Sequence, residues 1–181
     1  PPVSSYFPES CLYVGSLSKV LAPGLRLGFV VAPPAVYPKL LQAKQAADLH
    51  SPNLNQRLAA EVLSVPGFLE EHLPRVRQLY KSQCQVMLAA LQKHMPESVT
   101  WNTPHGGMFI WLRLPEGIDS AAMLPRAVAK GVAYVPGAIF YDASPDVRNI
   151  RMSFVTASAE QIDKGVRLLA ETIKEELAHA F

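Results

Sequence analysis

Gly15-Ser16-Leu17-Ser18-Lys19-Val20-Leu21-Ala22-Pro23-Gly24-Leu25-Arg26-Leu27-Gly28 is the stretch on which the reading of this chain turns. It sets a lysine, two hydroxyls and an arginine between two apolar runs. Residues 11–14 are short, apolar and rich in strand formers, and Gly15 punctuates their end. Residues 25–32 form a second strand candidate, interrupted by Arg26 and Gly28. The polar, Pro/Gly-marked sequence between them is a loop, the place where ligand residues concentrate on a rigid scaffold. Arg26 stays charged and can fork two N–H donors onto an anion, each charge-assisted bond being worth about 1.5–3 kcal/mol. Ser16 and Ser18 add hydroxyl donors, and Lys19 supplies an amine nucleophile. Together they suit a small molecule that carries both an aldehyde and a phosphate. A Ser-x-Ser-Lys tetrapeptide by itself is usually just a solvated turn, and Arg26 by itself fits a surface arginine.

A second cation stands out downstream. In residues 149–155 the alternation puts Ile150, Met152 and Phe154 on one face of a strand and Asn149, Arg151 and Ser153 on the other. Arg151 therefore points away from the apolar face, where a bidentate grip on a carboxylate is geometrically open. Alternation alone also fits a surface arginine on an edge strand. The Gly106-Gly107 pair allows either close approach of backbone to a ligand or a plain bend into a strand. Tyr134 and Tyr141 read as packing residues. His50, His72, His94, His105 and His179 lack metal-ligand spacing and read as surface or loop residues, so no metal is expected.

The lysine loop resembles the cofactor-lysine signature of fold-type I pyridoxal-phosphate (PLP) aminotransferases, classes I and II. Further segments follow in that family's order: Gln42-Ala43-Lys44-Gln45-Ala46-Ala47-Asp48-Leu49-His50-Ser51-Pro52, Pro104-His105-Gly106-Gly107-Met108-Phe109-Ile110-Trp111, Val132-Ala133-Tyr134-Val135-Pro136-Gly137 and Asn149-Ile150-Arg151-Met152-Ser153-Phe154. The resemblance is strongest to the 2-aminoadipate/kynurenine aminotransferase branch, with the aminotransferase-like domains of MocR regulators next. It implies pyridoxal 5'-phosphate as cofactor, attached covalently to Lys19, which also shuttles the substrate α-proton. It implies that Ser16, Ser18 and Arg26 hold the cofactor phosphate and that Arg151 binds the substrate α-carboxylate. The substrates implied are an L-amino acid and a 2-oxo acid, and the assembly implied is a homodimer.

Architecture follows from punctuation and period. The chain reads as α/β, and by resemblance as the C-terminal part of a fold-type I transferase. Residues 1–75 would close the large mixed-sheet PLP-binding domain, 76–98 would form a long interdomain helix, and 99–181 a small α+β domain. Pro33-Pro34 opens a helix to about residue 47, and a second spans residues 53–63 up to Pro66-Gly67. Leu69, Leu73, Val76, Tyr80, Cys84, Met87 and Leu91 then recur at helical spacing until Pro96. Residues 99–101, 108–114, 132–135 and 149–155 read as an antiparallel sheet. Asp119 caps a helix that ends at Gly131, and Ser158 with Gln161 forms a capping box for the last helix, to about residue 178.

Composition excludes other classes. The 181 residues carry a net charge of +2, which gives no electrostatic case for nucleic acid. No apolar run approaches the roughly 20 residues that span a membrane, and no signal peptide is visible. Hydrophobic content of 49% suits a soluble chain with a real core. Cys11 and Cys84 form no motif, and free thiols in a reducing cytoplasm are expected. Full family members carry a long segment ahead of this point, with the aspartate that pairs the pyridine nitrogen and the aromatic that stacks on the ring. The resemblance thus implies a longer protein, with this part inactive or nearly so alone. Two other readings stay open: the effector-binding domain of a MocR/GntR-type transcriptional regulator, and a purely structural dimerisation half.

Overall fold

The computed structural model describes residues 1–179 and divides into two compact units, 1–75 and 76–181. The first unit opens with two short 3-10 turns and then pairs β1 (Tyr13–Ser16) with β2 (Gly28–Val31). The pairing is antiparallel, with Tyr13 opposite Val31 and Ser16 opposite Gly28. Among the described residues these two strands pair only with each other. Gly15 lies under Phe29, whose ring would stand 2.2 Å from a Cβ at that position. Glycine is therefore what lets the aromatic ring fold across the hairpin and reach Tyr13, 5.9 Å away between centroids. Val14, at 71% exposure, and the neighbouring Val30 and Val31 present apolar surface to solvent.

Two helices complete this unit, α1 (Tyr37–Asp48) and α2 (Asn53–Leu63). Pro38 sits in the first turn of α1, where its missing N–H costs nothing. Helix α1 starts later than Pro33-Pro34 suggested, because residues 34–36 form a turn first. Leu27 and Ala59 are the buried apolar residues of this unit. Helix α3 (Phe68–His94) crosses the division between the units and carries Pro74 in its second turn.

The second unit is a two-layer α+β fold. Strands β3 (Thr100–Trp101), β4 (Phe109–Arg113), β5 (Val135–Pro136) and β6 (Asn149–Ser153) form an antiparallel sheet in the order β3-β4-β6-β5. Residues 132–134 do not join the ladder, which begins only at Val135. Ile110 and Leu112 of β4 and Ile150 and Met152 of β6 bury one face against Met87 and Leu91 of α3, Met123 of α4 (Ser120–Ala129), and Val166, Leu169 and Ile173 of α5 (Ala159–His179). The predicted alternation in β6 holds on that face. On the other face Asn149 is also buried, and its Nδ2 is satisfied by donating to the Tyr141 hydroxyl at 2.8 Å.

Both predicted caps are present. The Asp119 carboxylate accepts from the Ala121 and Ala122 amides at 2.7 and 3.2 Å. Ser158 N–H donates to Gln161 Oε1 at 2.8 Å and Gln161 N–H donates to Ser158 Oγ at 3.3 Å, a reciprocal capping box. Helices α4 and α5 are tied by Arg126 to Glu176 and Lys130 to Glu175. Tyr134 is a packing residue: it is buried, and its hydroxyl donates to the Ser120 carbonyl at 2.7 Å. Burial, with the Glu176 and Asp119 carboxylates nearby, pushes its phenol well above the usual range. Tyr141 differs from the sequence reading, being exposed in the loop that follows the 3-10 turn Gly137–Phe140. His94 differs too: it is largely buried and its Nε2 lies 2.9 Å from Asp163 on α5. The side chain of His179 lies outside the described residues. Among the described residues no helix is long and apolar enough to cross a membrane, and no three His, Cys, Asp or Glu side chains gather as a metal cluster.

Candidate active site

The connection from β1 to β2 carries Ser16, Ser18, Lys19 and Arg26 together in the first unit. It is not an open coil. The Leu17 amide donates to the Leu27 carbonyl at 3.0 Å and so extends the strand ladder by one rung. Leu21 and Ala22 both donate back to the Leu17 carbonyl, at 2.8 and 3.2 Å, which winds residues 17–21 into a helix-like turn. Lys19 stands exposed on this turn and has no carboxylate within ion-pair distance among the described residues. Ser16 Oγ accepts from the Ser18 amide at 3.3 Å. That bond uses a lone pair and leaves the Ser16 O–H available to donate.

Arg26 closes the loop in an unusual conformation. A 3-10 turn at Pro23–Leu25 ends on Arg26 in the left-handed region, at φ 51° and ψ 41°. For a residue with a Cβ this costs on the order of 1 kcal/mol, and such strain persists where the surroundings over-determine it. Part of that determination is visible. Asn55 of α2 donates from its side-chain amide to the Leu25 carbonyl at 3.1 Å, pinning the loop one residue before the kink. Arg26 Nη1 makes one long bond to the Pro23 carbonyl, 3.3 Å, and meets no carboxylate among the described residues. The fork therefore keeps donors for an anion. Asn55 had no local signal in the sequence, because its partner lies 30 positions away.

Arg151 belongs to the second unit. Its position on β6 places it opposite Trp111 on β4 and opposite Val135 on β5. Its guanidinium carbon lies over two aromatic rings, 4.1 Å from the Phe109 centroid and 4.5 Å from that of Phe140. Its Nε is buried and finds no hydrogen-bond partner, and no carboxylate among the described residues pairs with it. A half-buried charge balanced only by π faces is unusual, because buried polar groups are ordinarily satisfied. The rings that hold Arg151 escaped the reading of the sequence, where Phe109 and Phe140 look like ordinary strand and loop aromatics. Gly106 and Gly107 form the bend ahead of β4, Gly107 at φ +85°.

Beside Arg151 on the same sheet face, a shallow cavity of about 330 Å³ is lined by Trp111, Arg113, Tyr141, Asp146 and Asn149 among others. Asp146 accepts from Arg113 Nε at 3.1 Å and from Arg148 Nε at 2.9 Å. The Arg148 bonds, with that of Arg113, hold its carboxyl down at about 2. A carboxyl with a lowered folded-state pKa stabilises the fold above the unfolded value near 3.8, and that contribution is lost as pH falls toward 2. In acid unfolding the gap between wild type and Asp146→Asn is therefore expected to be full at pH 6 and to shrink below pH 4. A gap that stays constant from pH 6 to pH 2 would remove Asp146 from this role.

The first unit thus carries a lysine and an arginine on one loop, and the second an arginine on its sheet, none of them paired with a carboxylate among the described residues. The chain belongs to the aminotransferase class I and II family, whose sequence pattern it matches over residues 3–169. It is 45% identical over 178 residues to aromatic-amino-acid aminotransferase 1 of Thermococcus litoralis, an alignment that takes in 97% of this chain and 42% of that protein. It superposes with a TM-score of 0.91 at 42% identity on the crystal structure of LysN, the α-aminoadipate aminotransferase of Thermus thermophilus complexed with N-(5'-phosphopyridoxyl)-L-leucine, covering 98% of this chain and 45% of that one. It is also 39% identical, over 91% of its length and 33% of the other's, to an uncharacterised HTH-type transcriptional regulator, YdfD, of Bacillus subtilis. The chain thus spans less than half the length of the curated relatives it matches.

Proposed function

We propose that this chain is the part of a PLP-dependent aminotransferase that carries the cofactor lysine, part of the phosphate cradle and the carboxylate arginine. The full protein would move an amino group between an L-amino acid, 2-aminoadipate-like or of broad range, and a 2-oxo acid. The single observation that carries the reading is the β1–β2 loop: Lys19 and Arg26 share it with two serine hydroxyls, and neither cation is paired with a carboxylate among the described residues.

The donor set fits the cofactor. Pyridoxal phosphate, when bound, supplies the electron sink that lets an α-carbon lose its proton. Ser16 and Ser18 would donate O–H bonds to the phosphate, and Arg26 would fork onto it with charge. Lys19 Nζ would take the carbonyl carbon covalently and, once displaced by substrate, would hold and return the α-proton. Arg151 would take the α-carboxylate common to all amino acids, which orients substrate without choosing among side chains. By resemblance the full protein is a homodimer in a reducing cytoplasm, and this segment does not itself touch nucleic acid or membrane. The likeness to YdfD favours one alternative, an effector-binding domain that senses through the same residues. A basic winged-helix segment encoded upstream of Pro1 would decide for it.

The test is chemical. Incubating the protein with pyridoxal phosphate, reducing with borohydride and mapping the peptides is expected to place the phosphopyridoxyl mass on Lys19. A label confined to other lysines would end the proposal.

A further inference from the structure

The guanidinium of Arg151 lies over two phenyl rings that come from different elements, and this grip does something alternation alone does not. Phe109 reaches it diagonally across the β4–β6 ladder: Trp111 faces Arg151 and Phe109 faces Ser153, so Phe109 and Arg151 sit one diagonal apart on one face. Phe140 reaches it from the 3-10 turn Gly137–Phe140 that follows β5. That turn is held hard against β6. A Cβ at Gly137 would stand 2.5 Å from Asn149 Cβ and 2.8 Å from the Asn149 carbonyl oxygen, so only glycine allows the approach. Phe140 is in turn braced edge-on by Trp111, at 5.8 Å and 68°.

A free arginine side chain samples many rotamers, and ordering it on binding costs affinity. Two rings over one guanidinium remove most of that cost beforehand. They also leave the fork without a competing acceptor, since the buried Nε has no protein partner and no carboxylate pairs with the group among the described residues. We propose that Phe109 and Phe140 are positioning residues that preorganise Arg151 to receive a carboxylate. This rests on the reading of Arg151 as the carboxylate receptor and assigns that role its supporting groups.

The test titrates the protein with propionate, a carboxylate without amino or oxo group, and follows the Arg151 Nε–Hε resonance by NMR. Propionamide serves as the uncharged control. Phe140→Leu and Phe109→Leu are each expected to weaken propionate binding by about five- to tenfold, the size of one lost preorganising contact. Phe140→Tyr, which keeps a π face, should bind as wild type. Replacing Phe140 with pentafluorophenylalanine keeps the shape and reverses the ring's charge distribution, so it should weaken binding like leucine, and it guards against variants that fail to fold. Arg151→Gln should abolish binding. If Arg151→Gln abolishes binding while the leucine and pentafluoro variants stay within twofold of wild type, the rings merely pack and the proposal is overturned, though the carboxylate role survives. If Arg151→Gln binds propionate as well as wild type, the carboxylate reading fails and this inference falls with it.

Discussion

Lys19→Arg is expected to leave the full-length protein able to bind pyridoxal phosphate but unable to turn over. Arginine keeps the positive charge and nearly the length of lysine. It stays protonated at any working pH, however, and so has no lone pair to offer a carbonyl carbon or an α-proton. Loss of the proton-transfer role alone costs about 10²–10⁴-fold in rate, and loss of covalent attachment adds to it. Cofactor retention should persist because the phosphate contacts proposed above belong to other groups on the loop, Ser16, Ser18 and Arg26. The reciprocal substitution, Arg26→Gln, should leave Lys19 chemically competent while weakening cofactor affinity by about tenfold or more, since a charge-assisted bond is worth about 1.5–3 kcal/mol. Single-turnover rates and equilibrium dialysis separate the two. Turnover by Lys19→Arg within tenfold of wild type would show that the amine is not the working group.

Phe154→Ala should be the most damaging of the single substitutions in the second unit. Phe154 is 2% exposed, follows directly on β6 and belongs to the cluster that joins the sheet to α3, α4 and α5. Truncating a buried phenylalanine costs about 3–5 kcal/mol, because the cavity adds to the lost transfer energy. Against a total stability of about 5–15 kcal/mol, that is a large share. Trp101 and Trp111 both lie in this unit, so their fluorescence reports its unfolding in urea. Val128→Ala on the exposed face of α4 in the same unit provides the contrast, with an expected change of about 0.5 kcal/mol or less. Equal shifts from the two substitutions would mean that burial of Phe154 is not what stabilises this unit.

Local structure was legible in the sequence wherever it depended on neighbours along the chain. The loop that gathers Ser16, Ser18, Lys19 and Arg26, the alternation around Arg151, the Asp119 cap and the Ser158–Gln161 box are all set within a short stretch, so the residue types alone announce them. Helix α2 shows the same rule, since its ends at residues 53 and 63 are marked by Pro52 on one side and by Pro66-Gly67 on the other. Some local patterns misled: Gly15 lies inside β1 rather than ending it, α1 begins only at Tyr37 rather than at Pro33-Pro34, and in 132–135 an apolar run predicts a strand but the ladder starts only at Val135. The chain there first turns out of α4, with Val132 N–H still donating to the Ala127 carbonyl at 2.9 Å.

The sequence by itself thus determined which groups are available for chemistry and which elements carry them. Tertiary structure decided what each group meets. The antiparallel pairing of β1 with β2, the sheet order β3-β4-β6-β5, the His94–Asp163 pair across 69 positions and the Asn55 bond across 30 positions all join residues distant in the chain. Arg151 is the clearest case: alternation turns it away from the core, but only the register of β4 on β6 and the tight seat of Gly137 bring Phe109 and Phe140 to its guanidinium. The physical reason is that local preferences are settled within one turn or one pleat. Long-range register emerges only when many weak apolar contacts are satisfied at once.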